Sequence, residues 1–262
     1  MLLIFDSIRV IAGLGFLLWA SYHDYSTREV PNRVWKLFLP IAITFCILDL
    51  YFRGLTIAYA VQTAISIVIP SAIFIILFYL GFYGGADAKA MICLSIAIPN
   101  NLHFGAFPVW GTLPVFPLSV LNNALVFSAS TFPYALTSNI LWKARNKEAL
   151  FQGLEEEPLR KKLFALLFCV KKRKAEVKPY DTVAEKTVVG EEGKKRSIRV
   201  SWRVADEEEE SGFDVEELPE NIFVDFSLPM LLFITVGFAT SIILGDIIFW
   251  FIGEIFHFHF GF

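Results

Sequence analysis

The stretch Gly81-Phe82-Tyr83-Gly84-Gly85-Ala86-Asp87-Ala88-Lys89 lies between two strongly apolar segments and decides how this chain is organised. Its glycines favour a break between two helices, and Asp87 stands at the start of the second helix. A carboxylate at the end of a membrane helix is costly unless it has a partner or a function. We therefore expect the rest of the chain to bring a second acidic group to Asp87.

The composition is that of a membrane protein with one polar insert. Of the 262 residues, 55% are hydrophobic and 27 are phenylalanine, and the mean hydropathy is +0.56. Residues 143–224 hold 17 of the 23 basic and 18 of the 26 acidic side chains. No basic excess remains to neutralise phosphates, so a nucleic-acid partner is not expected. The three cysteines lie in separate apolar runs without a metal-binding spacing, so we expect no metal and no cofactor.

Hydropathy predicts an all-α polytopic membrane protein with six transmembrane helices in the lipid bilayer. The predicted spans are residues 3–22, 34–52, 55–80, 86–98, 115–142 and 226–252. The fourth span has only about 13 residues, or roughly 20 Å, which is short for a hydrocarbon core of about 30 Å. Asp87 is therefore expected in a recessed, wet position. We expect the first span to stay rather than to be a cleaved signal peptide, because Asp6 and Arg9 interrupt it. These two residues are three apart and should face each other.

Between the fifth and sixth spans the sequence predicts a small cytoplasmic α+β insert. The predicted domains are a membrane domain over residues 1–142, a soluble domain over residues 143–224, and the sixth span with its tail over residues 225–262. Within the insert, residues 147–170 are expected to be helical, and residues 186–202 are expected to form a β-hairpin.

The order of the spans predicts which charged residues share a membrane face. Two crossings separate Asp24, which follows span one, from Asp87, so both should lie on one face. That face also carries most of the basic residues outside the insert, which are Arg28, Arg33, Lys36 and Lys89. Basic residues collect on the cytoplasmic side. We therefore expect both aspartates to face the cytoplasm and both termini to lie outside the cell membrane.

Two carboxylates that share a site provide a general base and a general acid at once, because only one of them ionises cheaply. The base can activate a water molecule and the acid can protonate a leaving amine, which is aspartic proteolysis. An aspartate at a helix start is also favoured by the helix dipole alone. From the residues alone, a transporter with an aspartate proton relay and a non-catalytic assembly scaffold stay open.

Two motifs make the protease interpretation more specific. The first motif is Asp24-x-x-x-Arg28-x-Val30-Pro31-Asn32, and the second is Gly84-Gly85-Ala86-Asp87-Ala88-Lys89. Together they resemble the type IV prepilin peptidase and archaeal preflagellin peptidase family, the GxGD membrane aspartic proteases. Ala86 stands where the family usually has a second glycine. The resemblance covers residues 10–142 and implies that Asp24 and Asp87 are catalytic. It assigns supporting roles to the remaining motif residues, which are Arg28, Pro31, Asn32, Gly84, Gly85, Ala86 and Lys89.

The resemblance also implies a substrate: a preflagellin (archaellin) or type IV pilin-like precursor whose short basic leader is cleaved at the cytoplasmic membrane face. Many bacterial members carry a tetracysteine zinc domain and methylate the new N-terminus, and this chain lacks that domain. No N-methyltransferase activity is therefore expected. A presenilin-like protease that cuts within the bilayer is the alternative inside the proteases.

Two further groups of residues are candidates for substrate binding. One is a polar pair inside span five, Asn122 and Asn123, which would equally serve as interhelical hydrogen-bonding residues. The other is the acidic run that begins Asp206, Glu207 and Glu208, whose charge would attract a basic leader. A solvated acidic linker is the alternative for this run.

Overall fold

The computed structural model describes residues 1–102, 104, 107–146, 148–177, 181–190, 193–199, 219–225 and 229–260. The chain forms two compact units. The membrane unit consists of Met1–Ser128 and the C-terminal segment from Pro229, and the insert unit is Ala129–Leu228. The described helices are α1 Leu2–Thr27, α2 Asn32–Arg53, α3 Ile57–Tyr79, α4 Gly85–Ala97, α5 Phe116–Ala129, α6 Thr131–Arg145, α7 Leu159–Phe168, α8 Met230–Ile243 and α9 Ile247–Phe260.

The first three helices are each long and apolar enough to cross a membrane. They confirm the first three predicted spans as helices, although α1 continues to Thr27 instead of ending at residue 22. Asp24 therefore lies in the last turn of α1 and not in the polar linker that the sequence indicates. Predicted span four is confirmed as a short helix, since α4 has 13 residues.

Spans five and six are wrong as single helices. Residues 115–142 form α5 and α6, which belong to different units, because α6 packs with α7 and the strand that follows it. In place of residues 226–252, the described residues form α8 and α9, which are bent by 56° at a short break. Counted as one broken span, this pair would be a fourth candidate membrane crossing beside α1, α2 and α3.

The short helix α4 lies at the centre of the membrane unit. It packs against α2 and α3 and also contacts α1 and α8. Its apolar residues surround the helix instead of forming one stripe, and a helix of this kind is stable where neighbours cover it on all sides. Met91, Leu94 and Ala97 are fully buried. Because α4 is enclosed, the position of Asp87 at its start depends on the helices around it.

Strands occur, among the described residues, in the insert unit. These are β1 Cys169–Arg173, β2 Thr182–Val183, β3 Glu185–Gly190, β4 Gly193–Ile198 and β5 Asn221–Asp225. Strands β1, β5 and β2 form an antiparallel sheet in that order. The predicted hairpin is confirmed as β3 and β4, with Gly190 opposite Gly193 at the turn; its last predicted residues, 200–202, lie outside the described residues.

The helix predicted over residues 147–170 is wrong for most of its length. Of the described residues in this range, Leu159–Phe168 are α-helical, and Cys169 and Val170 begin β1. The apolar run continues through this boundary without a change in composition. The strand forms because its backbone pairs with β5, which is about fifty residues away in sequence, and a local pattern carries no information about that partner. The predicted domain boundaries stay predictions.

Candidate active site

Asp24 is held at the point where α1 meets the start of α8. Its half-buried carboxylate accepts a hydrogen bond of 3.3 Å at Oδ2 from the backbone N–H of Leu231. This N–H belongs to the first turn of α8, where backbone donors have no partner inside the helix and negative charge is favoured. One turn earlier on α1, Ser21 and Thr235 share a hydrogen bond of 2.7 Å between their hydroxyl oxygens. Two contacts therefore fix the end of α1 against α8.

Asp87 occupies the first turn of α4. Its Oδ2 accepts a hydrogen bond of 3.2 Å from the backbone N–H of Gly84, which fixes the carboxylate at the helix start. A Cβ atom added to Gly84 would lie 3.2 Å from the same oxygen, and one added to Gly85 would lie 3.4 Å from the ring of Phe78. The two glycines thus permit a close approach that a larger residue would crowd.

The two carboxylates lie on different helices and come close enough to interact electrostatically. The charge of Asp24 acts on Asp87. The charge of Arg28, which directly follows α1, acts on Asp24. Asp24 and Asp87 are 63 positions apart in the chain. Their proximity is therefore a product of the way α1 and α4 pack.

The remaining motif residues connect the two halves of this site. Lys89 Nζ donates a hydrogen bond of 2.8 Å to Asn32 Oδ1, so the first motif is joined to the second. Pro31 directly precedes α2, and its carbonyl accepts a hydrogen bond from the backbone N–H of Val34. Arg28 has φ 58° and ψ 11°, the left-handed conformation that commonly ends a helix. The segment between α1 and α2 is therefore a tight, hydrogen-bonded turn beside the aspartates.

Tyr83 is a neighbour of the site that the sequence analysis did not single out. It lies in the loop before α4 and packs edge-on against Phe74, with ring centroids 5.7 Å apart. Burial, and secondarily the nearby charge of Asp87, raises the pKa of Tyr83 to about 12. Its phenol is therefore neutral and available as a hydrogen-bond donor. The sequence signal that could have identified Tyr83 is the position of an aromatic residue directly before Gly84-Gly85.

The candidate substrate residues are placed elsewhere or are not described. Asn123 Nδ2 donates to Ser241 Oγ at 2.9 Å and to the carbonyl of Gly245 at 2.7 Å, and its Oδ1 accepts from the N–H of Ile247. Asn122 Nδ2 donates to Asp246 Oδ2 at 2.8 Å. These two side chains hold the break between α8 and α9. Asp206, Glu207 and Glu208 lie outside the described residues.

Metal-binding residues do not cluster in the described part of the chain, where no group of three or more His, Cys, Asp or Glu side chains could hold an ion. Cys46, Cys93 and Cys169 are free thiols. The polar residues in and beside the two motifs include Arg28, Lys89 and Tyr83.

Comparison with known proteins finds a family whose sequence model matches the part of the chain that carries this arrangement. Residues 11–136, which include both motifs, match the sequence model of the type IV leader peptidase family. Three similar proteins are preflagellin peptidases of archaea. The Methanocaldococcus jannaschii protein is 30% identical over 138 residues, which cover 46% of this chain and 53% of that protein. The Methanococcus maripaludis protein is 27% identical over 90% of this chain and 94% of its own length.

The Methanococcus voltae protein is 26% identical, and the match covers 91% of this chain and 96% of that protein. The match to the Methanocaldococcus protein spans about half of that relative's length, whereas the other two matches span nearly the whole of both chains. The family match covers the residues that carry both aspartates, and the resemblance seen in the motifs is confirmed. Over residues 11–136, this membrane protein is therefore similar to the type IV leader peptidase family.

Proposed function

We propose that this chain is a membrane aspartic endopeptidase that removes the short basic leader from preflagellin or type IV pilin-like precursors. One observation carries the proposal: the hydrogen bond of 2.8 Å between Lys89 and Asn32 joins, at one end of the membrane unit, the two separate motifs that hold Asp24 and Asp87. Each also accepts a backbone hydrogen bond at a helix start. The named activity of the archaeal relatives supports the same substrate class.

The pair shares one proton in the resting enzyme, because two adjacent carboxylates do not both ionise cheaply. The ionised carboxylate takes a proton from a water molecule, and the water oxygen bonds to the carbonyl carbon of the scissile peptide. The protonated carboxyl gives its proton to the leaving nitrogen as the C–N bond breaks. One product carries a new carboxyl group and the other a new amine. The dyad titrates as a unit, so base and acid roles belong to the pair.

The active site faces the cytoplasm in this proposal. The end of the unit that carries the aspartates also carries Arg28, Arg33 and Lys89, and the excess of basic residues favours the cytoplasmic side. At the other end, Arg53 forms ion pairs with Asp6 and Asp49 inside the protein. Its charge is therefore already compensated. A leader cut here would remain in the cytoplasm while the precursor's apolar helix stays in the membrane.

The proposal is tested by co-expressing the chain with a preflagellin and following the size of the precursor. Wild-type protein should shorten the precursor, and Asp24→Asn and Asp87→Asn should each abolish the cleavage. Glu29→Gln is the matched control, because Glu29 is an exposed carboxylate at the same end of α1 and should be dispensable. Mass spectrometry of the product should find an unmethylated N-terminus.

Two results would contradict the proposal. Cleavage that persists in either aspartate variant would exclude the dyad. An intact precursor with wild-type protein, together with pH-dependent ion flux in vesicles, would indicate a transporter that uses the same aspartates as a proton relay.

A further inference from the structure

Arg9 is a charged side chain buried in the membrane unit far from the two aspartates. It is 1% exposed. Its Nη1 donates to Asp6 Oδ1 at 3.2 Å and to Asp49 Oδ1 at 2.5 Å. Its Nε donates at 2.9 Å to the carbonyl of Ala97, the last residue of α4. Arg9 therefore links the ion cluster at the beginning of α1 to the C-terminal end of the helix that carries Asp87.

Helices α1 and α4 run antiparallel. Arg9 on α1 bonds to Ala97, and Gly13, one turn further along α1, lies beside Leu94 and Ile98 of α4. Asp24 follows further along α1, and Asp87 lies at the beginning of α4. From Arg9 to Asp24 the rise is about 22 Å, and from Ala97 to Asp87 it is about 15 Å. The Arg9 side chain, which donates to the Ala97 carbonyl at 2.9 Å, lies within this difference of about 7 Å. The two helices are thus joined at one end by Arg9 and bring their aspartates together at the other.

We infer that Arg9 is a positioning residue that sets the axial register of α4 against α1 and so places Asp87 beside Asp24. The inference deepens the proposed function and, in its catalytic part, rests on it. A displacement of about 1 Å between reacting groups can reduce a rate by about 10²-fold. A side chain that lies about 22 Å along α1 from Asp24 is therefore expected to control kcat without touching the substrate.

Other contacts at this end do not supply the same register. Asn100 follows α4 and bonds through its side chain to Thr63 and Ser66, which fixes the chain to α3 but not to α1. Within the part of the chain that the structure describes, the bond from Arg9 to Ala97 is the hydrogen bond that joins α1 to α4. At the other end of α4, Lys89 bonds to Asn32 at the start of α2 and not to α1.

Arg53 provides a matched control for Arg9. Its Nε donates to Asp49 at 2.7 Å and its Nη2 donates to Asp6 at 2.6 Å, so it belongs to the same ion cluster. Its bonds join α2 to α1 and leave α4 untouched. Both arginines line a cavity of about 340 Å³ together with Tyr59 and Asn101. Water in such a polar cavity can solvate a lysine in place of either arginine, so both variants should fold.

The experiment compares Arg9→Lys with Arg53→Lys. A lysine keeps the charge but has one ammonium group in place of the planar guanidinium. It therefore cannot donate hydrogen bonds to both carboxylates and to the Ala97 carbonyl in the same geometry. For each variant, kcat, KM and Tm are measured with preflagellin, and Asp24→Asn marks the inactive baseline. Independently of activity, spin labels at Tyr25 on α1 and Ala86 on α4 report the axial position of α4, after the three free cysteines are replaced.

Arg9→Lys should lower kcat by 10-fold to about 10²-fold with nearly unchanged KM and should shift the label distance. Arg53→Lys should lower Tm to a similar extent and change neither kcat nor the distance. Equal effects of the two variants on kcat, or an unchanged label distance in Arg9→Lys, would overturn the inference. If the wild type does not cleave preflagellin, the proposed function is wrong. The distances between the spin labels still test whether Arg9 sets the axial register of α4 against α1.

Discussion

Lys89 Nζ donates a hydrogen bond of 2.8 Å to Asn32 Oδ1 and joins the two sequence motifs directly. Asn32 is the first residue of α2, and Lys89 follows Asp87 by two positions on α4. The bond therefore ties the turn after Asp24 to the helix that carries Asp87. This contact gives a physical reason for a lysine and an asparagine at these positions of the motifs, in addition to any role of their charge or polarity.

We expect Lys89→Met and Asn32→Leu each to lower kcat/KM, and the double variant to lose less than the sum of the two. A hydrogen bond between exposed side chains contributes about 1 kcal/mol, which corresponds to a coupling of about fivefold. The measurement is a double-mutant cycle on preflagellin cleavage. The control is Lys36→Met, which should leave kcat/KM unchanged. Lys36 is an exposed lysine on α2, the helix that begins with Asn32. Additive effects of the two substitutions would show that the bond does not contribute.

The first four helices could be predicted from the sequence because each is bounded by a local signal. Polar residues and Pro31 separate α1 from α2, Gly54 separates α2 from α3, and the glycines of the segment 81–85 precede α4. A hydropathy profile is sufficient in such cases, because the polar, proline or glycine residues of each connection show where one helix ends and the next begins.

The breaks at the C-terminal end could not be predicted equally well. The apolar run that contains α5 and α6 has no proline or glycine where the two helices separate, between Ala129 and Thr131. The break between α8 and α9 does contain Gly245 and Asp246, a local signal that the hydropathy of the run conceals. Its stability comes from Asn123, which is more than a hundred residues away in sequence.

The site shows the same division between local and tertiary information. The sequence identifies Asp24 and Asp87 as candidate residues through the two motifs and the number of predicted membrane crossings between them. It does not identify the hydrogen-bond partner of Asp24. Leu231 supplies a backbone N–H, which carries no side-chain signal, and it lies 207 positions away. Contacts that use only the backbone of a distant segment require the structure.

Asn123→Ala is expected to destabilise the membrane unit without changing catalysis. Asn123 is fully buried and makes three hydrogen bonds at the break between α8 and α9. Each buried polar group left without a partner costs about 1–3 kcal/mol. The Tm in detergent should fall clearly, whereas kcat/KM per folded enzyme should stay within about twofold, because the side chain does not contact either aspartate.

Asn122→Ala is the matched control for this prediction, since Asn122 is half-buried and donates one hydrogen bond to Asp246. Its effect on Tm should be smaller. A variant of either asparagine that loses kcat/KM at unchanged Tm would instead support the substrate contact that the sequence left open.

Replacement of Asp206–Glu210 by Ser and Gly should raise KM at low salt. If the acidic run attracts the basic leader, its contribution is long-range and is screened as the ionic strength rises, because the Debye length falls from about 30 Å at 0.01 M to about 3 Å at 1 M. The measurement is KM for preflagellin across this range. Neutralising two exposed carboxylates elsewhere in the insert, Glu155 and Glu156, is the control. An unchanged KM at low salt would leave the run as a solvated linker.

Arg28 combines a conformational and an electrostatic role, and two substitutions separate them. Its φ of 58° is unfavourable for a residue with a Cβ atom, by roughly 1–2 kcal/mol, and glycine avoids this cost. Part of that gain is offset because glycine loses more backbone entropy on folding. Arg28→Gly should therefore be more stable than Arg28→Ala by about 1 kcal/mol in chemical or thermal unfolding.

Both Arg28 variants remove the positive charge that acts on Asp24, so both should change kcat/KM and its pH profile by the same amount. Arg28→Lys keeps the charge and the strained backbone and should retain most of the activity. If glycine and alanine prove equally stable, the left-handed turn after α1 is not a source of strain. If lysine is as inactive as alanine, the guanidinium acts through its hydrogen-bond geometry and not through its charge, which is the distinction expected between a fork-shaped donor and a point charge.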